Sequence, residues 1–488
     1  MTRGPFLLEY RDIYADGRLL ASACADAITV ANPATEEIVG TAPAAVEKDV
    51  EIAVRAARHA FDTGTWSGAD PADRANSLER LAAALDDRAE DIARLVTAEM
   101  GMPITFSRFH NGEIPGLILR YYAGLARRLE PEEIRAAITF AGRTVVRHEP
   151  IGVAAVIAAW NYPMALAFAQ LAPALAAGCT TVLQPAPETS LSAYILAEAC
   201  EAADLPPGVF NLVTGTDEVT EMLARHACVD KLAFVGATSA GRRIAALCGE
   251  MLKPANLELG GKSAAIVLED ADLSATAAAL GVLCFGNSGQ ACFAMSRVLA
   301  PRSRYQEVVD GLIAQASAVV IGDPMAPETT MGPLVSPRHR ASVESYVASG
   351  IADGARVAAG GRRPAAPVRG YYYEPTVFAE ATSTMTIARD EIFGPVVTVI
   401  PYRDEPEAVA VANDSEYGLA GSVWTSDPDH GLEIARKLHV GTFGVNLYIP
   451  DLGSPWGGFK SSGQGTAYGP EGLSAYLKPK SVFFPAPR

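Results

Sequence analysis

Apolar positions early in the chain recur with helical spacing. Over residues 47–61 and again over 71–101, Ala, Leu and Ile fall on one face, and the spacing predicts a helix in each stretch. Asp70 and Pro71 supply a helix start, and Gly101 with Pro103 a stop. The pattern then changes. Thr144-Val-Val-Arg-His-Glu-Pro-Ile-Gly-Val reads as a strand running to a turn. Beyond it, short apolar runs alternate with helix-periodic ones. Residues 153–158, 180–184, 209–213 and 231–235 read as strands, and 165–177, 190–203, 219–225 and 240–251 as helices. Repeated units of this length predict an α/β fold with a parallel sheet covered on both faces. A second α/β stretch covers residues 263–444 or so, opening with a strand over 263–268 and a helix over 274–284. The tail closes on a strand-like Lys480-Ser-Val-Phe-Phe. Such an edge needs a partner, which an oligomer would provide.

Composition narrows the function classes. With 488 residues, two or three domains are expected. A formal net charge of −16 repels phosphate backbones and anionic bilayers, so neither nucleic acid nor membrane is an expected partner. Residues 150–187 carry no charge. Asn161, Pro163, Gln170, Pro173 and Gly178 break that stretch into pieces shorter than the roughly 20 apolar residues of a membrane span. It reads as two buried strands with a buried helix between them. The seven cysteines are scattered and no CxxC spacing occurs, which argues against a disulfide framework and against a metal site. A reduced cytoplasm fits that usage. Residues 1–10 hold no long apolar run and no cleavage pattern, so no signal peptide is expected.

Five segments carry chemistry. Phe285-Gly-Asn-Ser-Gly-Gln-Ala-Cys292 sets a cysteine after a Gly-rich turn, where unusual backbone angles and a lowered thiol pKa would make a nucleophile. Alone, Cys292 followed by Phe293 reads more readily as a small buried hydrophobe, and only the neighbouring motifs reverse that. Leu257-Glu-Leu-Gly-Gly-Lys262 places Glu258 between leucines, where a raised pKa suits a general base; a surface carboxylate is the plainer reading. Ala159-Trp-Asn161-Tyr-Pro163 puts an Asn at a strand's end, able to donate to a developing oxyanion or simply to make a turn. Phe234-Val-Gly236-Ala-Thr-Ser-Ala-Gly241 joins a strand to a helix start that can hold phosphate, although the spacing is not GxGxxG. Glu391-Ile-Phe393-Gly-Pro395 alone reads as a turn.

Together, and in this order, these segments resemble the aldehyde dehydrogenase superfamily over nearly the whole chain, with Pro455-Trp456-Gly-Gly-Phe-Lys460 as a further match. The resemblance implies that Cys292 attacks the aldehyde, that Asn161 and the Cys292 backbone N–H hold the oxyanion, and that Glu258 activates the water that hydrolyses the thioester. It implies cofactor contacts at Trp160, Gln184, Gly236, Ala237, Glu391 and Phe393, and a substrate pocket of Tyr162, Leu166, Ala169, Phe293, Leu452 and Trp456. It divides the chain into a cofactor domain (residues 1–124 and 148–257), a catalytic domain (258–465) and an oligomerisation hairpin and tail (125–147 and 466–488). A homodimer or homotetramer follows, with NAD as the expected cofactor and NADP open. Six positions depart from the family pattern. Gln184 stands for a ribose-binding Lys, Pro187 for a ribose-binding Glu, and Val235 and Ala237 for the Thr and Ser that flank the phosphate-turn Gly. Gln170 and Ala467 stand where the resemblance implies a Lys and a Glu that pair in relatives. No Arg falls in the expected pocket, so apolar or aromatic aldehydes are expected over semialdehydes. A non-catalytic relative with a decayed cofactor site and a coenzyme A-acylating relative are the alternatives; the latter typically lacks the Glu.

Overall fold

The computed structural model describes residues 7–486, so residues 1–6 of the segment read as leader-free lie outside it. The first sheet runs in the order Gly463–Gln464, Ala255–Glu258, Lys231–Val235, Val153–Ala158, Thr180–Pro185, Phe210–Leu212, Asp12–Ala15, Arg18–Ala21. Its five inner strands are parallel and its outer pairings antiparallel. The chain enters at Val153–Ala158, builds outward through Thr180–Pro185 and Phe210–Leu212, and then returns to the other side at Lys231–Val235. Strand order therefore reverses between Val153–Ala158 and Lys231–Val235. The connections diverge there, and a crevice opens beyond the carboxyl ends. Trp160 and Asn161 follow one of these strands, and Gly236 and Ala237 the other.

The second sheet has seven strands, in the order Arg356–Ala359, Thr376–Ala379, Val396–Tyr402, Arg297–Pro301, Ala264–Val267, Ala420–Trp424, Thr442–Val445. Cys292 lies just before Arg297–Pro301, and Glu391 just before Val396–Tyr402. The amino ends of this sheet thus meet the carboxyl ends of the first.

Local physics accounts for the elements around the crevice. Helix Pro163–Ala177 starts on a proline and stops at Gly178, whose φ of 99° suits a residue without a Cβ. Every residue in it but Leu166 is buried, as the uncharged stretch requires. Helix Glu47–Asp62 matches its periodicity. The expected single helix over 71–101 is two, Pro71–Asp86 and Ala89–Met100. Asp70 accepts from the Ala72 N–H at the first start, and Gly101 at φ 81° makes the last stop. Between them, Arg88 leaves the helical region at φ −110°, ψ 8°, and its guanidinium reaches Asp91 and Glu198. Apolar spacing continues across this break, which hides it.

The tail strand Leu477–Pro485 pairs antiparallel with Gly142–Pro150 of the same chain, and Glu132–Ala136 completes the sheet. One edge of the tail is therefore satisfied without a second subunit. The other stays open, with Phe483 and Phe484 exposed. Residue 125 falls inside helix Ile114–Arg127, so the hairpin strands begin only at Glu132. No described helix is long and apolar enough to cross a membrane.

Candidate active site

The turn before Cys292 is left-handed, but not where its glycines alone would put it. Asn287 (φ 50°), Ser288 (φ 57°) and Gly289 (φ 69°) take that conformation in succession. Side chains hold the strain in place. Asn287 Nδ2 donates to the Asn161 carbonyl at 3.0 Å, Ser288 Oγ to the Gly332 carbonyl at 2.8 Å, and Gln290 Nε2 to the Asn287 carbonyl at 3.0 Å. Gln290 Oε1 accepts from the Val335 N–H. Asn161 is buried, and its Nδ2 donates to the Gln290 carbonyl at 3.2 Å. Asn161 and the nucleophile turn thus lock each other. A Cβ on Gly289 would lie 2.1 Å from the Gly394 carbonyl oxygen. Gly289→Ala is therefore expected to cost about 2 kcal/mol or more, from backbone strain plus a backbone clash. It should lower the melting temperature by a few degrees and misplace Cys292. A melting curve and the rate of Cys292 alkylation check this; wild-type values for both would contradict it.

The turn after Glu258 is as tight. A Cβ on Gly260 would fall 2.1 Å from Glu391 Oε2, and one on Gly261 2.4 Å from the Cys292 carbonyl. These glycines let three chain segments meet. The Gly261 N–H donates to Glu391 Oε1 at 2.9 Å. Burial pushes the Glu391 carboxyl up to about 7, and this N–H and Lys262 only partly offset it. Glu258 ends its strand between Val235 and Gly463 and is buried. Neither of its carboxylate oxygens has a hydrogen-bond partner. Burial holds its carboxyl well above the usual range.

The Cys292 thiol departs from expectation. It is pushed up rather than lowered, first by burial and then by the negative charges of Glu391 and Glu258. The backbone N–H groups of Phe293 and Cys292 act the other way. The turn supplies donors and exposure to the cleft, but it brings no cation beside the sulfur, and a thiolate needs one more than it needs unusual backbone angles.

Two cavities meet at Cys292, Glu258, Leu166 and Val235. One, of about 150 Å³, is apolar. Tyr162, Leu166, Ala169, Phe293, Leu452 and Trp456 all line it, with Phe109, His110, Ile114, Ile449 and Tyr468. The other, of about 320 Å³, is lined by Trp160, Asn161, Gly236, Ala237, Glu391 and Phe393. Gln184 lies outside both. Its Nε2 donates to the Gly215 and Thr216 carbonyls, and its Oε1 accepts from Thr220. With both ends engaged, its amide braces the sheet instead of facing the cleft.

Several lining residues escaped the sequence reading. His339 packs edge-on to Trp160 and Phe393, with ring centroids 5.7 and 6.0 Å away, and its Nε2 lies 2.7 Å from the Phe393 carbonyl. Phe393 itself sits at φ 56°. His110 lies in a π-turn, Arg108–Glu113, which swings it toward Tyr162. A π-turn widens the helix by one residue, so helical periodicity misassigns the faces beyond it. His339 and Ile449 lie in segments with no motif of their own.

Comparison with known proteins agrees with this geometry. The aldehyde dehydrogenase family model matches residues 20–482. The chain is 46% identical over 476 residues to a geranial dehydrogenase of Castellaniella defragrans, covering 98% of this chain and 99% of that protein. A 3-succinoylsemialdehyde-pyridine dehydrogenase of a Pseudomonas species is 40% identical, with 97% and 98% covered. Among solved structures, an aldehyde dehydrogenase of Mycobacterium tuberculosis complexed with NAD+ is 43% identical, with a TM-score of 0.96 and 98% of each chain covered. A mutant aldehyde dehydrogenase C of Pseudomonas syringae, bound to NAD+ and octanal, is 36% identical with a TM-score of 0.94, covering 97% of this chain and 96% of that one. With cysteine, carboxylate and Asn brought from separate segments to one junction of two cavities, and the family matched across nearly its whole length, this chain belongs to the aldehyde dehydrogenase family.

Proposed function

We propose that this chain oxidises apolar aldehydes to carboxylic acids with NAD, through a thioester on Cys292. The observation that carries this is the meeting of an apolar cavity and a more polar one at Cys292 and Glu258. Cys292 Sγ attacks the aldehyde carbon. Asn161 Nδ2, which donates to the Gln290 carbonyl in the resting site, and the Cys292 backbone N–H stabilise the oxyanion in this reading. NAD supplies the hydride acceptor when bound. Glu258 then takes a proton from the water that attacks the thioester. A coenzyme A-acylating role has no need of a base there, and a decayed cofactor site would not keep Glu391 and Phe393 lining the second cavity.

The residues of the second cavity fit the cofactor. Gly236 lines the second cavity just before helix Thr238–Glu250, with the Phe234 ring 2.7 Å from where its Cβ would be, and the first N–H groups of that helix can take phosphate. The position of Glu391 suits the nicotinamide ribose, and Trp160 with Phe393 the ring. The adenosine half lacks a contact from Gln184. Glu188, four residues past Gln184 in the chain, is half-buried, its carboxyl raised by burial and by Asp217 and lowered by Arg338. The similar structures that hold NAD+ support NAD as the cofactor.

Among the described residues, the apolar cavity has no Lys or Arg in its wall. A substrate carboxylate there would be buried without a partner. The proteins named for geranial and crystallised with octanal act on or hold apolar aldehydes. Octanal or benzaldehyde is therefore expected to exceed succinate semialdehyde by about 100-fold or more in kcat/KM. NAD should exceed NADP in the same panel. Succinate semialdehyde as the better substrate would overturn the reading.

For the rest of the chain, the first sheet is read as the cofactor domain (residues 1–124 and 148–257) and the second as the catalytic domain (258–465). Residues 125–147 and 466–488 are read as the oligomerisation extension. The open tail edge, with Phe483 and Phe484 exposed, suits a homodimer or homotetramer, and the cysteine usage a reduced cytoplasm.

A further inference from the structure

A directed chain of buried donors ends on the cavity that holds Glu258. Gln170 is 1% exposed and lines the apolar cavity. Its Oε1 accepts from the Tyr476 hydroxyl at 2.9 Å and from Asn256 Nδ2 at 3.4 Å. Two donors on one oxygen fix which way the amide faces. Its Nε2 is left with no hydrogen-bond partner. Asn256 is fixed in turn. Its Oδ1 accepts from the buried Lys231 ammonium at 3.1 Å, so its Nδ2 must point to Gln170 and to the Thr466 carbonyl. Lys231 also lies over the Tyr476 ring, 5.0 Å from its centroid. Every bond in this chain donates toward the cavity. Three partnerless polar atoms therefore share one cavity, Gln170 Nε2 as donor and the two Glu258 oxygens as acceptors.

A buried N–H left without an acceptor costs about as much as a lost hydrogen bond. Gln170 and Glu258 line the same cavity, and a water between a free donor and free acceptors would satisfy both. We propose that Gln170, oriented by Tyr476 and Asn256, is a positioning residue that holds the hydrolytic water against Glu258. This rests on the reading of Glu258 as the base. In the step, the water oxygen bonds to the thioester carbon and its proton passes to Glu258. The C–S bond breaks, the electron pair leaves on Cys292 Sγ, and the sulfur takes the proton back. Water and thioester give acid and free thiol. Cys292 and Tyr468 feel the Glu258 charge, His110 lines the same cavity, and Lys231 bonds Asn256. A donor reaching Glu258 through water favours its ionised form.

p-Nitrophenyl acetate separates this from the redox step, because it acylates Cys292 without a cofactor. The nitrophenolate burst reports acylation, and the steady rate reports hydrolysis. In Gln170→Met the burst should match wild type. Hydrolysis should slow about tenfold, and its acid limb should move up by about one pH unit, the effect of one lost charge-assisted bond. Tyr476→Phe, which frees the amide to turn, should move both in the same direction by less. If Gln170→Met does not fold, Tyr476→Phe decides. Wild-type hydrolysis with an unmoved acid limb in a folded variant overturns the proposal. Glu258→Gln in the same assay tests the base itself. Undiminished hydrolysis there would remove the base reading, whatever the Gln170 variants do.

Discussion

Cys292→Ala is expected to abolish aldehyde-dependent reduction of NAD, by about 10⁴-fold or more. No other thiol can stand in. Among the described residues, Cys292 is the cysteine in the wall of either cavity. Cys284, in the preceding helix, is buried, and its Sγ donates to the Met295 carbonyl at 3.0 Å. Cys179, Cys200 and Cys248 are also buried. Alanine removes the sulfur while leaving the locked turn of Asn287, Ser288 and Gly289 intact, so the variant should fold and still bind NAD. Absorbance of the reduced cofactor, including the first turnover, reads the loss, and quenching of protein fluorescence reads retained binding. Surviving turnover would refute the covalent mechanism.

Glu258→Gln has the second largest expected effect, and of a different kind. Glutamine keeps the size of the side chain but cannot take a proton. Acylation should persist and give one burst of reduced cofactor per site. Steady turnover should fall by about 10²–10⁴-fold. The pH dependence follows from burial. The Glu258 carboxyl lies well above the ordinary range, and only its ionised form is a base. Turnover limited by hydrolysis should therefore rise with pH until Glu258 ionises, and Glu258→Gln should lose that rise. Since the Glu258 charge also helps to hold the Cys292 thiol up, the variant thiol should be alkylated somewhat faster by iodoacetamide at alkaline pH. A variant with wild-type steady turnover would take the base role away from Glu258.

How much was legible in the residues differs between fold and site. Val153–Ala158 and Lys231–Val235 match the expected strand bounds, because each is a short apolar run closed by turn residues. The break at Asp87 and Arg88 was not legible, because apolar spacing runs on across it; Arg88 pairs there with Asp91 and with Glu198, far along the chain. The tail was legible as a strand but not in its pairing. Its partner, Gly142–Pro150, lies more than 300 residues upstream, and an edge does not encode which edge it meets.

The site divides in the same way. Cys292, Glu258 and Asn161 stand out by residue type, neighbouring turns and family resemblance, and all of these are local signals. Their chemistry is not local. The sequence suggested a lowered Cys292 pKa from its turn, while the fold buries the sulfur and sets Glu391 and Glu258 near it, and so raises it. For Gln184 the sequence suggested a cofactor contact, while Gly215, Thr216 and Thr220 take both ends of its amide. Gln170 was legible only as a departure from the family. Tyr476 and Asn256, reached through the packing of distant segments, decide which way its amide points. By itself, the sequence determined the α/β elements, the family and the identity of the candidate nucleophile and base, because these depend on side-chain type and near neighbours. The tertiary structure alone decided which charges face the thiol, which amides still have a free donor, and where two cavities join. Electrostatics and hydrogen bonding act through distances of a few ångströms, and only folding sets those.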